Sequence, residues 1–237
     1  MKRILSTVLV VALLLGLGGL AVLARGGGSV LTPAGSVVAA APQPQTAAAP
    51  DAPAVTSRYH SFTMPLDVGI SNASGMKTYI ESSTGATVSK LLKWDASLGA
   101  SGAWRTYEPA NPFSDDFLLT VGDAFFALVN TATPGVLSFA GNVPAQHSIT
   151  FSLLGNAGAC RYNFISLPLD KSGLAKAADL AGDIGNVSKI LVWDATLGTA
   201  GSWRTYEPGN PFSENFNVQI GYPYFVCMLL SKPWPVW

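Results

Sequence analysis

Charge is scarce in this chain of 237 residues: 12% of positions are Asp, Glu, Lys or Arg, and the 14 bases balance the 14 acids. Ordinary globular proteins carry about twice that fraction. With no basic excess to neutralise phosphates, a nucleic-acid partner is not expected. There are only two Cys and two His, too few for a Cys/His metal centre. No H-E-x-x-H, G-x-S-x-G or Walker loop occurs, which removes the common metal-hydrolase, serine-hydrolase and nucleotide-binding signatures. What is plentiful is apolar: 49% hydrophobic residues, with six Trp, seven Tyr and eleven Phe. That is enough to bury a core and is unlike a disordered chain.

The N-terminal quarter divides by composition. Lys2 and Arg3 precede an uncharged stretch from Ile4 to Ala24, the layout of a secretory signal. Small or apolar residues suited to cleavage occur at Val22-Leu23-Ala24 and again at Val38-Ala39-Ala40. The stretch is also long enough to cross a bilayer as a helix, with the two basic residues left inside. Residues 1–25 therefore read as a cleaved signal peptide or a retained membrane anchor. Either exports the remainder, whose formal charge is −3. No Cys lies near residue 24, so no lipid attachment is expected. Residues 26–57 hold prolines at 33, 42, 44, 50 and 53 and a single charge, Asp51. This Ala/Pro/Gly-rich stretch reads as an extended tether or disordered leader.

Beyond it the chain repeats itself. SKLLKWDASLGASGAWRTYEPANPFSDDF at 89–117 matches SKILVWDATLGTAGSWRTYEPGNPFSENF at 188–216, with 20 of 29 positions identical at an offset of 99. RYHSFTMPLD at 58–67 matches RYNFISLPLD at 161–170 at an offset of 103. The expected organisation is two tandem copies, 58–155 and 156–237. Each should be a small, mainly β module with one short helix, an α+β unit. Within the second copy, strands are predicted near 163–169, 189–194, 202–207 and 224–229, and a helix over 174–184 closed by Gly185. KTYIESSTG in the first copy predicts a weaker helix. The second copy has only WPVW after Pro233, so it is expected to lack a terminal strand and leave an edge to be covered.

Alternation along a strand puts Leu92 with Trp94, and Leu191 with Trp193, on one face. Lys93 stands where the second copy has Val192, which marks the opposite face as the wetter one. Trp94, Trp104, Trp193 and Trp203 are thus expected to fill the core of each copy. Arg105 is expected to reach Asp95, and Arg204 to reach Asp194. Tyr107 and Tyr206 are expected to face outward and, with Trp234 and Trp237, to form the candidate ligand-binding surface, since aromatic faces suit sugar rings. Cys160 and Cys227 fall at opposite ends of the second copy, and an exported chain permits their disulfide.

Catalytic groups are not expected. His60 aligns with Asn163, and His147 has no counterpart. Asp95 with Glu108 could be imagined as a glycosidase pair, but hairpin alternation and the following proline explain both more simply. Asp67, Asp115 and Asp116 supply oxygens without forming a dense calcium loop. No metal or cofactor is expected.

The run of N-F-I-S-L-P-L, a short helix, K-I-L-V-W-D, W-R-T-Y-E-P-G-N-P-F and G-Y-P-Y-F-V resembles a Trp-rich β module, often opening WNLISLPL. That module occurs in tandem at the C-terminal ends of secreted and surface bacterial proteins. The likeness covers 160–237 well and 58–130 more loosely, with Tyr162 in place of the usual Trp. It implies an accessory, non-catalytic role at the cell surface and assigns no site residues. The expectation is an exported structural or adhesive module pair, partnered by a polysaccharide or another surface protein and touching a membrane only through an uncleaved N-terminus. Carbohydrate binding through outward aromatics is the alternative, and a secreted hydrolase ranks below it.

Overall fold

The computed structural model describes residues 56–131 and 137–237. The signal or anchor expected over 1–25, and the tether up to residue 55, lie outside the described residues. The rest is mainly β, with two four-stranded antiparallel sheets built the same way.

In the first module β1 (Thr56–Thr63) leads to helix α1 (Ala73–Thr84), then β2 (Thr87–Asp95), β3 (Ala103–Tyr107) and β4 (Ala124–Thr131). The sheet order is β1-β4-β2-β3. A short strand β5 (Phe151–Leu153) follows. The second module runs β6 (Arg161–Ser166), helix α2 (Ala177–Ile184), β7 (Val187–Asp194), β8 (Ser202–Tyr206) and β9 (Pro223–Met228), ordered β6-β9-β7-β8. In each, the first strand and the strand after the helix both run antiparallel to the central strand that separates them.

No strand is missing from the second sheet, contrary to expectation. The chain after β9 instead forms β10 (Lys232–Trp234), which pairs with β5. Leu153, from the tail of the first copy, lies in the second module's core. The first strand also takes in Thr56 and Ser57, which the composition had placed in the tether.

Each helix covers one face of its own sheet. Met76, Ile80, Leu91, Phe117 and Phe125 are fully buried in the first core. Leu180, Ile184, Ile190 and Tyr224 hold equivalent ground in the second. Helix α1 is the longer of the two, not the weaker. The Asn72 side chain accepts from Gly75 N, and Asp116 accepts from both Ser74 N and Ser74 Oγ. These contacts satisfy amides that a helix start leaves open. In the second module Asn215 Oδ1 does the same for Ala178 N. Asp116 and its repeat partner thus serve as remote helix caps.

The other face of each sheet meets the other module, and this inverts the expected assignment of faces. Leu91 and Ile190, on the side read as wet, are buried under the helices. The tryptophans line the joint between modules instead. Trp94 and Trp193 are partly buried, while Trp104 and Trp203 remain 40% and 38% exposed. The period-2 rule paired them correctly, since Trp94 stands opposite Trp104 and Trp193 opposite Trp203. The assumption of a single buried face failed because both faces are covered.

Three further expectations change. Tyr107 and Tyr206 pack against their own cores rather than facing outward. Trp234 is 1% exposed, its indole Nε1 donating to Asp183. The arginines choose other carboxylates. Arg105 forms a two-pronged bond to Asp115 at 2.6 and 3.0 Å, and Arg204 bonds Glu214. Asp95 and Asp194 are held in tight turns by Ser97 and Thr196.

Candidate functional site

The joint between the sheets is aromatic. Phe164 lies between Phe126 and Phe225, stacked at centroid distances of 5.2 and 4.3 Å. Trp94, Trp104 and Trp203 approach Phe225 edge-on, and Trp193 and Trp203 approach Phe126 in the same way. Edge-to-face contacts of this kind add to the value of buried area. Glycine makes room for the indoles. A Cβ on Gly102 would fall 2.5 Å from the Trp94 ring, and one on Gly201 would fall 2.3 Å from Trp193. Both residues also sit at φ near +90°, where other residues are strained.

Polar contacts across the joint come in reciprocal pairs. Trp94 Nε1 donates to Tyr162 O at 2.8 Å, and Trp193 Nε1 donates to Tyr59 O at 2.8 Å. Arg161 donates to Ala96 O, and its repeat partner Arg58 donates to Ala195 O. The duplicated sequence has therefore become an approximate two-fold arrangement of modules.

At one place the symmetry breaks. Ser166 Oγ donates to Gly122 O at 2.8 Å, buried in the joint. The repeat partners are Thr63 and Gly221, and there the bond is not made. Thr63 is fully buried, yet its Oγ1 has no hydrogen-bond partner among the described residues. An open cleft of about 660 Å³ lies at this point. Ser61 and Thr63, with His60 at the edge of the strand, line it from the first module, and Trp193, Gly221 and Tyr222 from the second. Ser61 explains part of the space, because its repeat partner is Phe164, which fills the joint. A volume of this size falls in the range of small-ligand pockets.

Titratable groups in the lining include His60, Asp194 and Arg204. Burial, and then the Arg58 charge, push the His60 imidazole below its ordinary value. His60 and Ser61 are neighbours on β1, so their side chains leave opposite faces of the strand and form no base–nucleophile pair. Hydrogen bonds from Thr196 hold the Asp194 carboxyl low, and hydrogen bonds from Arg204 do so for Glu214. A general acid needs the reverse shift. Glu108 and Glu207 are tied to Lys90 and Lys189.

The four residues expected to form a ligand platform are not assembled into one. Trp237 alone of them stays open, at 44% exposure, with His147 stacked on its ring at 4.3 Å. The cleft was missed, but two signals for it lay in the alignment of the copies. Phe164 faces Ser61 at one position, and the ion pair Lys93–Asp123 becomes Val192 and Tyr222 at another. Such a paired replacement marks a wall whose chemistry has changed.

Cys160 and Cys227 form a disulfide with Cα atoms 5.3 Å apart, tying the entry of β6 to the central strand β9. Bonds of this kind persist in oxidising, extracytoplasmic settings. No protein-family model matches the chain, and no curated protein or solved structure matches it significantly.

Proposed function

We propose that this chain is an exported, non-catalytic module pair that works as a structural or adhesive element at the cell surface. The observation that carries the reading is the Cys160–Cys227 disulfide, a bond that belongs outside the cytoplasm. The basic-then-apolar start of the sequence supports it. So does the engagement of the carboxylates in turns, ion pairs and a helix cap. Each of those roles builds the two-module scaffold. The likeness to a Trp-rich module of secreted and surface bacterial proteins points the same way.

The test is fractionation of producing cells, with thiol counting on the purified full chain. The expected outcome is protein in the medium or envelope fraction, with no reactive thiol until a reductant is added. Recovery from the cytoplasm with two free thiols would refute export.

A further inference from the structure

We propose that the cleft between Thr63 and Gly221 is a docking site for a peptide segment carrying a branched aliphatic side chain. The proposal goes beyond the surface role above and does not depend on the compartment.

The occupant is argued from the other side of the molecule's own two-fold relation. There the equivalent position, beside Gly122, is taken by this chain's 143–151 segment. A Cβ on Gly122 would meet Ile149 Cγ2 at 2.9 Å and the Phe151 ring at 3.6 Å. The same segment is held by its backbone, with His147 N donating to Asp170 at 2.7 Å. The segment then enters β5 and pairs with β10. At Gly221 no described atom lies within 4 Å of the same construction.

A second, independent observation points into the cleft. The Thr63 hydroxyl is buried and unpaired among the described residues, whereas Ser166 at the equivalent position is bonded. A buried hydroxyl without a partner is costly, and a peptide N–H or C=O that displaced the atoms covering it would satisfy it. Part of the wall is also less charged than its counterpart. Val192 and Tyr222 stand where the other groove carries the Lys93–Asp123 ion pair, while Asp194 and Arg204 line the cleft further along.

The test titrates the full-length protein with the synthetic nonapeptide of residues 143–151, VPAQHSITF, by calorimetry. Saturable one-to-one binding is expected. The same peptide with its isoleucine changed to aspartate, Ile149→Asp, is expected to bind at least about tenfold more weakly. Tyr222→Asp, on an exposed side chain, is expected to weaken binding about tenfold. Absence of binding to the wild-type protein at millimolar peptide would overturn the proposal. So would a Tyr222→Asp protein that binds as the wild type does, because the peptide would then sit elsewhere. Saturation by a soluble glucan or chitin oligosaccharide, competing with the peptide and lost in the same variant, would reassign the cleft to a saccharide.

Discussion

Tyr224 shows how burial of one polar group couples this fold to pH. Its ring is 1% exposed in the second core, and its hydroxyl accepts from Gln219 N at 2.7 Å. Burial pushes the phenol up to about 12. A phenol raised in the folded state contributes stability that is complete below its unfolded value, about 10, and disappears as pH climbs through the folded value. Two units correspond to about 2–3 kcal/mol. Urea unfolding at pH 9 and pH 12 is therefore expected to show the wild type losing about 2 kcal/mol more than Tyr224→Phe over that interval. Equal losses would show that the phenol ionises as freely in the folded protein as in the unfolded chain.

Single residues were legible in the sequence where alternation governs them. Trp94 and Trp104 share a face as the period-2 rule requires. What that face meets was not legible. Apolar residues on both sides of a strand look the same whether the cover is a helix or a second sheet. Lys93 misled for a related reason. Its stem lies along the buried side while its ammonium reaches Asp123 and Leu118 O, so a charged residue need not mark a wet face.

Among the elements, strands were easier to place than helices. Strands β7, β8 and β9 fall within a residue or two of expectation. Helix α1 was underrated because its N-terminus is stabilised by Asp116, a residue more than forty positions away that no local reading connects to it. The β10–β5 ribbon escaped for the same reason, since its two halves come from different copies. The disulfide acts at this scale too. It closes a loop of 67 residues between the start of β6 and the centre of β9. On the chain-entropy account such a loop is worth about 4 kcal/mol, an upper value. Replacement of both cysteines, Cys160→Ser with Cys227→Ala, is expected to lower the Tm by about 10 °C while leaving the far-ultraviolet circular dichroism unchanged. A Tm within a degree or two of the wild type would mean that strand pairing already holds β6 in place without the bridge.

At the scale of the whole molecule, the two sheets should behave as one cooperative unit. Each small module buries a modest share of its own surface, and each exposes an aromatic face when alone. Phe225 is the keystone of that joint. It contacts Trp94 and Trp104 of the first module, and Tyr162, Phe164 and Trp203 of its own. Removing its ring leaves a cavity among partners from both modules, a loss of about 3–5 kcal/mol for a buried phenylalanine. That loss falls on the coupling between modules, because the helix-covered cores keep their own contacts. The wild-type protein is thus expected to melt in a single calorimetric transition whose van't Hoff and calorimetric enthalpies agree. Phe225→Ala is expected to melt earlier, with two resolved transitions as the modules uncouple. Two transitions in the wild type would mean that the aromatic joint contributes little. A single, merely shifted transition in the variant would mean that the reciprocal bonds of Trp94 and Trp193 hold the modules together without the stacked rings.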